Sequence, residues 1–522
     1  MGIGTNLDLS AEHRNIVTAL LQEHLPGTTV WAYGSRVAWT ARHNSDLDLV
    51  VFTTPEQEPK VGALREALEE SDLPFRVDLH TWTQLPESFK EEIETKHVTL
   101  ANQTVCSPRR HVPLGSLVRN LDSRRVPLSA RVRSTMSGQY PYYGATGILD
   151  HVDDYLFEGL HLLVAEDGSV ETPKGNPVVQ LVDGRFWVNN HAHVLCGPTD
   201  AETRYLYYAL LTVAIRPFVS GSVQAKLSQQ SLNRIPIAYP LREPERLAIA
   251  RILSSLDDRI ELNRRMNETL DAMARALFKS WFVDFDPVRA KMEGRDTGLP
   301  PDIADLFPDR LVESESGQAP VGWATLVMQD LAELHKETTD PQTLGDSDVE
   351  HFSIPAFDAG GMPTLQPGRS IRSNKTIVPT NAVLLSKLNP ETSRVWIPHC
   401  PRGVPQLCST EFLAFTPVGN VSRSLLYGLF TSRAFRSLLM GMVTGTSKSH
   451  QRVQPRALAR TTVLAGTAAL FDCYDRMISG LLESISGRRL QTQRLGDLRD
   501  TLLPKLVDGE IRLPAALVPE AA

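Results

Sequence analysis

The chain has 522 residues, 42% of them hydrophobic and 22% charged, the make-up of an ordinary globular protein with room for roughly three or four domains. No apolar run approaches the roughly 18 residues of a membrane span, and no basic-then-apolar leader opens the chain. The cysteines (Cys106, Cys196, Cys400, Cys408 and Cys473) form no CxxC pair, which argues against a zinc site or a disulfide framework and makes a cytoplasmic location the expectation.

The net charge of −7 is unevenly spread. Residues 1–106 carry 8 Lys+Arg against 16 Asp+Glu, and residues 241–317 carry 12 against 16. Residues 107–240 carry 13 against 11, residues 318–465 carry 14 against 10, and the remainder from 466 carries 7 against 8. Acidity thus sits at the front and in the middle, while two intervening segments are mildly basic, which is compatible with phosphate contacts.

In chain order, Ser10 caps a helix that ends at Pro26-Gly27, and a strand Thr29–Tyr33 runs into Gly34-Ser35-Arg36. Ser45–Phe52 and Phe75–His80 read as two further strands. Side chains two apart on a strand share a face, so Asp46 and Asp48 project together while Leu47 and Leu49 turn to the core. Asp78, between Val77 and Leu79, presents a third carboxylate from a neighbouring strand. Three carboxylates on one side of a small sheet suit Mg²⁺ bound together with substrate phosphates. A Gly-Ser turn at a strand end lets backbone N–H groups and a hydroxyl approach a phosphate. Gly34-Ser35-Arg36, Asp46-x-Asp48 and Asp78, in this order, resemble the minimal nucleotidyltransferases of the DNA polymerase beta superfamily over about residues 10–100. The resemblance implies Asp46, Asp48 and Asp78 as catalytic metal ligands. It also implies Gly34, Ser35 and Arg36 around the triphosphate, with Mg²⁺ and a nucleoside triphosphate, expected to be ATP, as cofactor and substrate. Whether the domain turns over is left open by the residues, since no acceptor-binding segment is recognisable.

From Val112 to Pro240 the pattern is strand-rich: Gly138–Gly147, Tyr155–Gly159, Leu163–Gly168 and one strand over Phe186–His193. A helix Ala201–Phe218 then precedes Ser220-Gly221-Ser222-Val223-Gln224-Ala225-Lys226 and Leu232-Asn233-Arg234. Asn189, Asn190, His191 and His193 hint at a metal site, but alternating His-x-His without a third ligand reads as structural.

From Glu243 to Phe282 apolar residues step by four and three: Ile249, Leu253, Leu256, Ile260, then Asn263 and Asn267, then Leu270, Ala274 and Leu277. This is the heptad rhythm of a coiled-coil seam, about 60 Å long, with mid-seam amides that can fix its register. Tyr474–Val507 repeats it, with Ile478, Leu481, Ile485, Arg488, Leu495 and Leu502 in phase. A chain that makes one long helix twice, each after a globular segment, reads as a two-headed spacer.

The second half echoes the first: Trp323 opens it, Leu384–Pro390 follows, Thr444-Gly445-Thr446-Ser447-Lys448 matches Ser220-Gly221-Ser222, and Leu458-Ala459-Arg460 matches Leu232-Asn233-Arg234. These stretches, with Leu277–Val288 and Leu502–Ile511, closely resemble the recognition domains and conserved spacers of type I restriction–modification specificity subunits, over residues 112–512. The expected fold is α+β multidomain, in which a small α/β nucleotidyltransferase domain precedes two mixed α/β target-recognition domains separated by an antiparallel helical coiled coil. The expected domains are nucleotidyltransferase 1–106, first recognition domain 107–240, central spacer 241–295, linker 296–317, second recognition domain 318–465, C-terminal spacer 466–512 and tail 513–522.

The resemblance implies double-stranded DNA, methyltransferase subunits and a restriction subunit as partners, and no membrane. Candidate DNA contacts are Gln224, Lys226 and Arg234 in the first domain and Lys387, Ser447, Lys448 and Arg452 in the second. No Asn-Pro-Pro-aromatic motif and no GxxxxGK[ST] loop occurs, so the recognition half carries no methylation or translocation chemistry of its own. A rival reading makes the protein primarily a nucleotidyltransferase that modifies a partner protein, as in toxin–antitoxin systems, with the rest as a targeting module.

Overall fold

The computed structural model describes the chain apart from residues 1–6, 26–27, 43–44, 54–56, 102–103, 106–108, 222–223, 315–316, 400–402, 445–450, 515–516 and 519–522. It divides into two compact units: residues 1–255 with 498–522, and residues 256–497. Among the described residues no helix is long and apolar enough to cross a membrane.

The first unit opens with α1 (Ala11–His24), capped as expected by Ser10, whose hydroxyl accepts from the His13 N–H. Strand β1 (Thr29–Tyr33) and a one-turn helix α2 (Ser35–Ala38) follow, then β2 (Leu47–Phe52), α3 (Glu58–Glu69), β3 (Val77–Thr81), α4 (Glu87–Thr95) and β4 (Val98–Ala101). The sheet order is β3-β2-β1-β4, with β2 and β3 parallel and the other pairs antiparallel. Leu47, Leu49, Val51, Val77 and Leu79 fill one face with α1 and α3 residues such as Val17, Leu21 and Leu64. The period of two leaves Asp48 and Asp78 on the other face.

The first recognition segment holds two four-stranded sheets. In one, strand 161–165 lies between 179–182 and 192–196; in the other, strand 137–143 lies between 148–152 and 185–188. Two sequence expectations change here. The single strand over Phe186–His193 is two strands, Arg185–Val188 and Ala192–Cys196, broken where the Asn189 side chain accepts from the His191 N–H. The helix over Ala201–Phe218 ends at Leu210, where Thr212 N and Val213 N donate to Ala209 O and Leu210 O in a tighter turn, and Arg216–Phe218 is a separate short turn.

The two halves share a plan. Arg109–Pro113 pairs antiparallel with Pro236–Pro240, and Ala324–Val327 pairs antiparallel with Thr462–Ala465. Each pairing ties the entry of a recognition segment to its exit, and each exit leads into a 40-residue helix, Glu243–Phe282 or Ala468–Val507. The first helix has the expected bounds, and the second begins six residues before Tyr474. Within the second unit they run antiparallel: Phe282 meets Phe471, the Tyr474 hydroxyl donates to Ala274 O, and Asn263 Nδ2 donates to Gln491 Oε1 at 3.2 Å. Asn263 is buried in that seam, while Leu256, Ile260 and Leu270 are half-buried. The core of this unit gathers Phe278, Trp281, Phe282, Leu426, Phe430 and Tyr474. In the first unit, Leu253 of the first helix and Leu503, Leu506 and Val507 of the second join the recognition domain's core.

Candidate functional site

In the front domain, the parallel register sets Asp48 beside Asp78, and the antiparallel register sets Tyr33 beside Asp48. Asp46 lies one residue ahead of β2 and is exposed, so it reaches the site from the approach loop rather than from the strand. The Asp48 carboxyl is held above its ordinary range by burial first, then by repulsion from Asp78 and Asp46, with His80 and Arg36 opposing. The Tyr33 phenol is pushed up to about 12 by burial and then by Asp48 and Asp78. Gly34 has φ +76°, and a Cβ there would fall 2.3 Å from Asp48 Oδ2, so only glycine fits between β1 and this carboxylate.

Arg36 is 6% exposed, and its guanidinium is engaged within the domain. Nε and Nη2 donate to Ser45 O at 3.1 and 2.7 Å, Nη1 donates to Asp8 O at 3.0 Å, and the group lies 4.0 Å from the Phe75 ring centre. It anchors the residue that precedes Asp46. Arg76 lies 3.3 Å from Asp78 on the exposed side. The donors are hard carboxylate oxygens in mutual repulsion, a set that fits a hard divalent cation.

In the first recognition domain, Ser220 and Lys226 exchange backbone hydrogen bonds at 2.8 and 2.7 Å around a turn at Gly221. That turn needs φ +92°, and a Cβ on Gly221 would meet Gln224 O at 2.1 Å. Gln224 and Lys226 are exposed on this loop, and Lys226 Nζ lies 3.6 Å from Glu166. Arg234 is exposed at the end of the short helix Gln229–Asn233. In the second domain Lys387 and Arg452 are brought together through Glu411. Lys387 N donates to Glu411 O, Arg452 Nε donates to the Glu411 carboxylate at 3.0 Å, and Val453 N donates to Lys387 O. Ser447 and Lys448 lie outside the described residues.

Beneath the Lys226 loop sits a group not anticipated as one. Among the described residues, Asp122, Glu166 and His193 form the one set of three metal-capable side chains with ligand atoms all within 4.8 Å of one another. Asp46, Asp48 and Asp78 are therefore less tightly gathered. Arg125 occupies the charge position a cation would take: Nη1 donates to Glu166 Oε2 and to Ala192 O, both at 2.8 Å, and Nη2 lies 3.6 Å from Asp122. The two carboxylates are thus paired with Arg125, and Asp122 also with His193. Strand alternation could not reveal this group, because Asp122 and Glu166 stand 71 and 27 positions before His193. The cue available in the sequence was the charged stretch Asp122-Ser-Arg-Arg125.

Comparison with known proteins agrees with these two regions. A family model described as type I restriction modification DNA specificity domain matches residues 112–272, and one described as polymerase beta nucleotidyltransferase matches residues 15–104. The HindI specificity subunit of Haemophilus influenzae is 23% identical over 339 residues, covering 55% of this chain and 71% of that protein. The probable protein adenylyltransferase MntA of the same organism is 43% identical over 98 residues, 18% of this chain and 83% of that protein. This chain carries a type I restriction modification DNA specificity domain with a nucleotidyltransferase domain in front of it.

A putative specificity subunit from H. influenzae, S.HindORF215P, is 43% identical over 105 residues, 20% of this chain, and the chain spans only 27% of its length. The crystal structure of a type I system S subunit from M. genitalium has the same fold, with TM-score 0.50 at 14% identity, covering 77% of this chain and 96% of that one. Asp48, Asp78 and Gly34 fall within the nucleotidyltransferase match.

Proposed function

We propose that this specificity subunit reads a two-part DNA sequence with its two recognition domains and docks methyltransferase and restriction subunits on its long helices. The observation that carries this reading is the duplicated plan: an entry–exit strand pair followed by a 40-residue helix, made twice. Two modules of one design, spaced by an antiparallel coiled coil, suit two half-sites separated by a gap of fixed length. The Asn263–Gln491 amide pair supports the register of that coiled coil. Gln224, Lys226 and Arg234 are the proposed contacts of the first domain, and Lys387, Arg452, Ser447 and Lys448 those of the second. Expression with a methyltransferase subunit, followed by sequencing of methylated DNA, tests this: a bipartite motif supports it, and no motif refutes it.

The front domain is proposed to transfer a nucleotidyl group from a nucleoside triphosphate, ATP by preference, to an acceptor oxygen, with pyrophosphate as the leaving group. Support comes from the Asp48–Asp78 register and the glycine packed against Asp48. Asp46, Asp48 and Asp78 would hold Mg²⁺, which when bound offsets the charge of the triphosphate. Gly34 and Ser35 would face the phosphates, and Arg36 would act by fixing Ser45 and hence Asp46. Labelled ATP with Mg²⁺ tests transfer directly. Labelling of a partner protein without any DNA-directed methylation would favour the rival in which the enzyme is primary.

A further inference from the structure

We propose that His193 is a positioning residue whose imidazole bridges Asp122 and Leu227, fixing the exit of the loop that carries Gln224 and Lys226; this rests on the DNA-reading role of those residues. His193 is 1% exposed, and both ring nitrogens face acceptors. Nδ1 lies 2.6 Å from Asp122 Oδ2, and Nε2 lies 2.8 Å from the carbonyl oxygen of Leu227, the residue after Lys226. A carboxylate and a backbone carbonyl can only accept, so both contacts are hydrogen bonds only when the ring carries both protons. A ring with one proton must give up one of them.

The surroundings are arranged to hold this group. Asp122 is fixed from three further sides: Oδ1 accepts from Val194 N at 2.8 Å, Oδ2 from Asn120 Nδ2 at 3.1 Å, and its own N–H donates to Asn120 Oδ1. Burial raises the pKa of Asp122, but hydrogen bonds from His193 and Val194 and the charge of Arg125 together hold it below the usual carboxylate range. The Glu166 carboxylate lies 3.8 Å from Nδ1 and also faces Arg125 and Lys226. The charged groups around the imidazole are therefore the carboxylates of Asp122 and Glu166 and the cations Arg125 and Lys226. His191 is paired with Asp167 at 2.7 Å at the rim. Glu166 O also accepts from Leu227 N, so both backbone groups of Leu227 are held from this network. Loss of the Nε2 contact would release the Leu227 carbonyl, while Leu227 N, Ala225 O and the Ser220–Lys226 pair keep their bonds. Gln224 and Lys226 would then meet DNA from a less fixed backbone.

The test uses the full chain in complex with its methyltransferase subunits and duplexes carrying the methylated sequence. Discrimination is the affinity ratio between the intact site and a site scrambled in one half. His193→Asn and Asp122→Asn should lower discrimination at the first half-site by about tenfold, the scale of one charge-assisted hydrogen bond, and leave the second half-site as an internal control. First-half discrimination unchanged in both variants overturns the proposal. So does a lower melting temperature in His193→Asn with discrimination intact. Lys226→Ala separates the layers: if it leaves DNA affinity and salt dependence unchanged, the loop's DNA role and this proposal both fall. If Lys226→Ala acts while the His193 and Asp122 variants do not, only the positioning proposal falls.

Discussion

At the scale of single residues, the front domain turns on how closely carboxylates and backbone are packed. Asp48 is half-buried beside Asp78, and its ionisation is opposed by burial and by two like charges. Removing that charge should therefore not weaken the fold. Asp46→Asn with Asp48→Asn is expected to leave the ligand-free protein as stable as wild type or more so. The same pair should abolish any Mg²⁺-dependent rise in melting temperature with nucleoside triphosphate, and any nucleotide transfer. Absence of that rise in wild type at millimolar nucleotide would make the front domain a binding module. Gly34→Ala should behave oppositely to the aspartate pair, lowering stability by about 1–3 kcal/mol for the positive-φ backbone alone, with a further cost because its Cβ must displace Asp48. Thermal melting of the two variants side by side checks the contrast. In the recognition halves, Lys226→Ala and Lys448→Ala should each weaken DNA binding and reduce its salt dependence by about one phosphate contact.

At the scale of elements, Arg109 is where three of them meet within the first unit. It stands at the start of the recognition domain's entry strand and pairs with the buried Glu245 at 2.7 Å. It also donates to Leu506 O and Val507 O at the end of the second long helix, where a cation meets unpaired carbonyls and the negative end of the helix dipole. Arg109→Met should cost about 3–5 kcal/mol, because it leaves Glu245 charged and buried. A shift of the denaturant midpoint reads this out, and an unchanged midpoint would show that the junction adds nothing. The helices allow a second test. Seven residues inserted into each should keep the seam in phase and lengthen it by about 10 Å, widening the gap between half-sites by about three base pairs. An unchanged gap in the methylated sites would mean the helices do not set the spacing.

At the scale of the whole molecule, the features legible from sequence were those written in local periodicity. Glu243–Phe282 announced itself through four-and-three spacing, and the Asp48–Asp78 face through strand alternation flanked by Leu47, Leu49, Val77 and Leu79. The break at Asn189 was hidden because Phe186–His193 keeps strand-forming residues on both sides of an asparagine turn. The short helix was misjudged because Val213 and Ile215 continue an apolar pattern after the helix has ended at Leu210. The Asp122–His193–Arg125–Glu166 network was hard to see because its members come from three separate stretches, joined only by folding.

The central claim is that one chain holds two DNA-reading modules of common design and a separate nucleotidyltransferase in front. Sequencing methylated DNA from cells that express the chain with its methyltransferase subunits tests it most directly, using wild type and the Asp46→Asn, Asp48→Asn pair. The account predicts one bipartite motif with a fixed non-specific gap, the same in both. No methylated motif, a single undivided one, or a motif that disappears with the two aspartates would contradict it.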